Sequence, residues 1–358
     1  MEFWILNENF ESIAIVDSVE SLLWTDRYCG YGDFQIYAGF DSELFSNTEQ
    51  DYYAYLRGSD HMMIIDTRDI ATKIQTGSHL TVEGVSLEHI LTRRILWTQT
   101  RLSGSLEGQI KKVLDANVIN PSIAARKIPN FRFVYSNDPV IQALTIEATY
   151  TGYTLYELIN EICLDYGLGW QVTLNWSDKY FEFKLYSTTD RSYDNADNNA
   201  FVVFSPNFEN LLDSNYHESK RDYKTVALVA GEEEGVGKQR RTTVVDLTNE
   251  TGLARREMFV DARDLQSELE DGSTMSDADY IKTLQSRGKS KLAECEDAAY
   301  FEGEVEATQT FVYGVDFFLG DTVQVRNEYG IEAKSRIQEI IFTQDESGYS
   351  VIPTFSMV

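Results

Sequence analysis

Residues 21–40 read SLLWTDRYCGYGDFQIYAGF. Two runs rich in aromatic and β-branched residues flank the turn Cys29–Asp33, which carries two glycines, and this is the pattern of an antiparallel hairpin. Working outward, EFWIL (2–6) and ESIAIVD (11–17) precede it, and HMMIID (61–66), IATKIQTG (70–77) and SHLTVEGV (78–85) follow it. Each run is a few residues long and bounded by turn formers, so a β-meander rolled into a barrel or sandwich is expected. In SLEHILTRRILW (86–97), Leu87, Ile90, Leu91 and Ile95 fall at helical spacing behind Ser86, a candidate N-cap. A helix is expected to close this first β region.

Residues 101–200 change character. SLEGQIKKVLDAN (105–117) places Leu106, Ile110, Val113 and Leu114 on one helical face. In TLYELINEICLDYGLGW (154–170), Thr154 and Glu157 form a capping box, Leu155, Leu158, Ile159 and Ile162 make the apolar stripe, and Gly167 suits the position after the C-cap. Strands WQVTLNW (170–176) and YFEFKLYS (180–187) and a polar loop at 188–200 complete an α/β insertion. The β pattern resumes with YKTVALVAG (223–231) and QRRTTVVDL (239–247) around the loop EEEGVGK. An acidic, helix-prone span from Asp261 to Glu296 interrupts it, with Ser276 as cap and Ile281, Leu284, Leu292 and Cys295 as the stripe. Strands return at 302–314, 321–327, 333–345 and 349–357, with turns at Gly320–Asp321, Glu328–Gly330 and Glu346–Gly348.

The fold class read from this order is mainly β with α+β insertions. Two β-barrel domains are expected: a first over 1–100, with 201–213 as a candidate completing segment, and a second over 214–255 and 300–358. An α/β insertion at 101–200 and a small helical insertion at 256–299 separate their parts. The length, 358 residues, fits several domains better than one core.

Charge narrows the function. With 31 Lys and Arg against 58 Asp and Glu, the chain carries −27, spread without an acidic tail. Such a surface repels DNA phosphates and anionic lipid, which argues against a sequence-reading DNA binder. Cys29, Cys163 and Cys295 are distant and odd in number, giving neither a disulfide framework nor a CxxC site, and Cys163 and Cys295 read as core fillers on their helices. No apolar run is long enough to span a bilayer, and the N-terminal residues lack the pattern of a signal peptide, so the triplets at Asn175 and Asn249 have no secretory context.

No catalytic or ligand motif emerges. The segment Gly231–Gln239 superficially resembles a phosphate loop but has Glu232 and Gln239 where Gly and Ser or Thr are needed. The run DNADNN (194–199) departs from a calcium loop at Ala196. His61, His79, His89 and His217 show no metal-binding spacing and are expected on strand or helix surfaces. Fifty-eight carboxylates allow many glycosidase-like pairs on paper, none of them distinguished by sequence. Cofactors and metals are therefore not expected.

Several segments, in order, resemble the siphophage baseplate hub, the tail-associated protein at the distal end of long flexible tails. They are SLLWTDRYCGYGDFQIYAGF (21–40), TVEGVSLEHILTRRI (81–95), FSPNFENLLDSNYHESKRDYKTVALVAGE (204–232), REMFVDARD (256–264) and VYGVDFFLGDTVQVRNEYG (312–330). The resemblance implies the phage tail-hub fold and structural roles for Gly84, Leu87, Arg93, Arg94, Asp261, Gly320 and Asp321. It also implies a homotrimeric ring in the virion that joins the tail tube to the tip and lets phage DNA pass without specific binding. Its partners would be the distal tail protein, the tube, the tape-measure protein and tip or receptor-binding proteins, and it would be made in the host cytoplasm. The carboxylate-rich loop Glu232, Glu233 and Glu234 is the candidate channel lining. Because the chain stops at Val358, wall hydrolysis and receptor binding are expected to fall to partners. The competing readings are a cell-surface polysaccharide or peptidoglycan hydrolase and a carbohydrate-binding module.

Overall fold

The computed structural model describes residues 2–75, 77–211, 215–233, 239–268, 273–295, 298–302, 310–346 and 348–357. The hairpin read first from the sequence sits at the heart of the fold. Ser21–Arg27 pairs antiparallel with Asp33–Gly39, which pairs with Gly77–Ser86, which pairs with Met62–Lys73. Alternation explains the burial: Phe34, Ile36 and Ala38 face the core while Gln35 faces out. The two segments HMMIID and IATKIQTG, expected as separate strands, run together as the single strand Met62–Lys73. Gly84 lies in the neighbouring strand where the two backbones approach so closely that a Cβ would sit 2.0 Å from the Ile64 carbonyl oxygen. Only glycine fits there.

From this centre the sheet extends through Tyr53–Leu56, Phe3–Leu6 and Ser12–Val16 on one side. On the other side lie Glu332–Asp345, Gly348–Met357, Ala298–Glu302 and Asn215–Ser219. With Val203–Phe204 and Thr322–Arg326 attached off this path, they make one 13-stranded sheet. The mainly β class is as expected, but among the described residues no closed barrel forms, which corrects the expectation of two barrels. The reason is the 14-residue strand Glu332–Asp345. Its first residues pair with Thr322–Arg326, its later ones with Ser21–Arg27, so it welds C-terminal and N-terminal strands into a continuous sheet. Arg27 reinforces the weld by donating to Glu339 at 2.6 Å and by pairing with Asp33.

The segment Leu87–Arg93 forms a 3-10 helix and Ser86 makes no capping bond, contrary to the sequence reading. The Ser86 hydroxyl is taken by Glu88, and it accepts from the Gly32 amide at 2.8 Å. Leu87, Ile90 and Leu91 are buried as expected, whereas Ile95 is exposed and bridges to Thr154.

Within 101–200, helix Leu106–Leu114 continues into a π turn, Asp115–Ile119. Helix Leu155–Asp165 has both halves of the Thr154–Glu157 capping box, and Gly167 takes a φ of +64° after it. Leu168–Asn175, Tyr180–Ser187 and Phe131–Phe133 form a three-stranded sheet, and Thr100–Ser105 pairs with Thr145–Tyr150. Leu155, Leu158, Ile159, Ile162 and Cys163 share one continuous core with the main sheet.

Val226–Glu233 and Arg240–Asp246 pair with each other, as read from the sequence. They do not enter a second barrel, as the strand order suggests, but form a separate sheet with Glu257–Asp261, which runs parallel to Val226–Glu233. Helix Asp277–Ala293, capped by Ser276, covers one face of it. Gly288 permits the close fit, since a Cβ would meet Val229 and Val245 methyls at 2.7 Å. Ala227, Val229, Val245, Val260, Tyr280, Leu284 and Leu292 make a second core. The helix is shorter than the acidic span suggested, and Cys295 lies beyond its end, half-buried, so it is not part of the stripe.

Candidate functional site

Where the main sheet meets the inserted sheet, a charged cluster is sealed from solvent. Strand Ser21–Arg27 contributes Trp24 and Asp26, the turn before Met62 contributes Ser59 and His61, and the 3-10 segment contributes Glu88. Trp24 Nε1 donates to Asp26 Oδ1 at 3.0 Å and to Ser59 Oγ at 3.1 Å, and Ser59 Oγ donates to both oxygens of Asp26 at 2.8 and 2.7 Å. His61 Nδ1 lies 3.2 Å from Glu88 Oε1, an ion pair rather than an aligned hydrogen bond. Glu88 Oε1 also accepts from the Val172 amide of the inserted sheet at 2.8 Å.

Burial alone would push the His61 imidazolium down, but the carboxylates of Glu88 and Asp26 outweigh it and hold it at about 9. Glu88 is held below its usual range: burial opposes this, while His61, the Ser86 hydroxyl and the Val172 amide overcome it. Burial dominates at Asp26 and raises it. The cluster is thus a lock in which the buried His61 cation pairs with the Glu88 carboxylate, Asp26 is held by Ser59 and Trp24 beside them, and three segments are tied to the insertion. His61, expected at the surface, is 4% exposed. The signal lay in HMMIID: residues 61–65 are buried without alternation, so a histidine opening that run is carried inside.

His61 also borders a cavity of about 300 Å³ with Asp60, Gln171, Tyr186, Tyr313 and Asp321. Asp321 is fixed in place: its carboxylate accepts from the Thr189 amide at 2.9 Å, the Phe318 amide at 3.0 Å and Arg191 Nε at 2.7 Å. Gly320 before it has a φ of +88°, and a Cβ would meet Tyr28 at 2.5 Å.

Leu87, next to Glu88 at the start of the 3-10 segment, is fully buried. Arg93 Nη2 stands 4.0 Å from Asp51, while Arg94 Nε donates to the Arg126 carbonyl at 2.7 Å and the Arg94 carbonyl accepts from the Leu155 amide. Both border a cleft of about 420 Å³ with Phe10, Tyr53, Lys127 and Phe181.

In the small sheet, Glu232 accepts from Arg241 Nη2 at 2.7 Å and from the Ser267 amide at 3.0 Å, so its carboxylate is engaged within its own unit. Glu233 is exposed opposite Arg240 in the strand register, and Glu234 lies outside the described residues. Arg263 and Arg240 hold the Asp261 carboxyl down at about 2.

A cleft of about 620 Å³ separates helix Leu155–Asp165 from helix Asp277–Ala293. Arg287 crosses it, 3.0 Å from Asp264 and over the Tyr153 ring. Burial, then the Glu161 carboxylate, raises Asp165 to about 6. Sequence reading missed this cleft because its walls are more than a hundred residues apart in the chain. Among the described residues, no three His, Cys, Asp or Glu side chains gather to hold a metal ion, and no helix is long and apolar enough to cross a membrane.

The family model for Siphovirus ReqiPepy6 Gp37-like proteins matches residues 2–355. No curated protein matches significantly. Among solved structures, the chain is similar to the tail protein from Neisseria meningitidis MC58, with a TM-score of 0.58 and 14% identity over 99% of this chain and 96% of that one. It is similar to the 43 kDa tail protein of prophage MuSo2 from Shewanella oneidensis, with a TM-score of 0.57 and 13% identity over 100% and 98%. A chain of the Francisella PdpA–VgrG complex gives a TM-score of 0.50 and 10% identity over 99% of this chain and 57% of that one. These similarities extend end to end in the two tail proteins. By the family match over nearly its whole length, the chain belongs to the Siphovirus ReqiPepy6 Gp37-like family, and its fold is that of phage tail proteins.

Proposed function

We propose that the chain is a structural hub of a long non-contractile tail: three copies form a ring at the distal end that joins the tail tube to the tip and surrounds the DNA path. The observation that carries this reading is the family match from residue 2 to residue 355, supported by a fold shared end to end with tail proteins. Its charge gives a physical rationale. Three copies carry 3 × (−27) = −81, and a negative bore resists trapping phosphates as DNA passes. In this reading Glu233 faces the bore, and Glu232, tied to Arg241, braces the strand that presents it. The distal tail protein and tube, the tape-measure protein and tip or receptor-binding proteins are its neighbours, and host attachment and DNA ejection are the events it serves. In this reading 1–100 and 101–200 are its N-terminal and inserted units, while Val226–Glu233 and Arg240–Asp246 group with Glu257–Asp261 and helix Asp277–Ala293 rather than with 300–358.

Light scattering on a sizing column, over a range of concentrations, tests the assembly. Three copies of 40.9 kDa give 3 × 40.9 = 122.7 kDa, the mass expected at high concentration. A 40.9 kDa species at every concentration would count against a self-assembling ring.

A further inference from the structure

Leu228, Val244 and Phe259 stand side by side across the small three-stranded sheet. Leu228 is the register partner of Val244 in one pairing and of Phe259 in the other. Side chains alternate between faces, so their neighbours Ala227, Val229, Val245 and Val260 point the other way, into the core under helix Asp277–Ala293. The row itself looks outward and is 43%, 54% and 59% exposed. Leu247 and Leu253, on the connection between Arg240–Asp246 and Glu257–Asp261, are also exposed. A contiguous apolar row in the middle of a sheet face, in a chain this charged, is the composition of a contact surface.

The rim says which kind of partner fits. Arg240 and Arg263 pair with Asp261, and Arg255 pairs with Asp246 at 2.7 Å and Glu257 at 2.6 Å. Three arginines thus meet these three carboxylates, and with exposed Glu233 opposite Arg240 the border of the row carries only −1 in a chain of −27. Two copies of a strongly acidic chain repel unless they meet where charge is locally balanced and apolar area can be buried. This face offers both.

We propose that the Leu228–Val244–Phe259 face is a seam between copies of this chain, resting on the ring assembly proposed above. In a threefold ring the contact is head to tail, so this face meets a different surface of the next copy. The central row supplies the desolvated core and the arginine–carboxylate pairs the polar rim.

The test is the double variant Leu228→Glu, Phe259→Glu. Both side chains are outside the cores, so the variant is expected to keep its circular dichroism spectrum and a cooperative melt while its mass drops threefold. A folded variant that keeps the 122.7 kDa mass of three 40.9 kDa chains overturns the seam and leaves the ring standing. A wild-type chain that is monomeric at every concentration overturns the ring and the seam with it. Leu228→Cys gives an independent readout should the double variant fail to fold. A bulky maleimide should label it on dilution and be blocked at high concentration, with wild type correcting for half-buried Cys295. Equal labelling at both concentrations overturns the seam.

Discussion

Leu158→Asp is expected to abolish the cooperative unfolding of the protein, or to lower its melting midpoint by about 10 °C or more. Leu158 is fully buried on helix Leu155–Asp165 and belongs, with Leu155, Ile159 and Ile162, to the core that the insertion shares with the main sheet. The change removes a leucine's burial, worth roughly 2–3 kcal/mol, and forces an unpaired carboxylate to be buried or protonated at a cost of several more. Together these approach the whole margin of a typical domain, about 5–15 kcal/mol. Leu164 on the same helix is 52% exposed, and Leu164→Ser is expected to change stability by no more than about 0.5 kcal/mol. Urea denaturation followed by tryptophan fluorescence separates the two. Similar midpoints for both variants would show that the helix does not pack as described.

His61→Ala is the second large effect, expected at about 3–5 kcal/mol, because it strands Asp26 and Glu88 without their cation in a sealed site. Adding Glu88→Gln and Asp26→Asn should recover part of the loss, since buried charges no longer lack a partner. The same cluster sets a pH dependence. His61 is raised from 6.5 to about 9, so its stabilisation is full below about 6.5 and is lost as pH rises through about 9. Glu88 is depressed, so its contribution holds above its unfolded value and is lost as pH falls through its lower folded value. Asp26, raised by burial, works in the opposite sense on the acid side. The alkaline limb is therefore the clean one. Wild type should lose urea stability between pH 6.5 and 9 more steeply than His61→Ala. Parallel curves would contradict a charged, paired His61.

Local patterns carried much of this fold. The Thr154–Glu157 capping box, the apolar stripe of helix Leu155–Asp165 and the hairpin around Cys29–Asp33 are short-range features, and each formed as the residues indicate. What failed depended on distant partners. Nothing within residues 332–345 tells that their second half pairs with residues 22–27, and that pairing turns the expected barrels into one open sheet. The Ser86 hydroxyl could cap a helix in principle, but Glu88 and Gly32 compete for it, and the segment winds as a 3-10 helix. The singled-out positions divide the same way. Gly84 and Gly320 sit where a Cβ would strike a backbone or ring, which is a local steric demand. The sequence places Glu232 in a carboxylate-rich loop, whereas the strand extends through it and Arg241 and the Ser267 amide both donate to its Oε1. The Asp26–His61–Glu88 lock was illegible because its members lie on three segments that only the folded sheet brings together.

The central claim is that copies of this chain assemble into a ring around a negative bore. Electron-microscopic imaging of the purified assembly, at a resolution that traces the small sheet, tests it most directly. The account predicts a threefold ring with an open centre and with Glu233 directed into it. A particle without a central opening, or a bore lined by arginine and lysine, would contradict it.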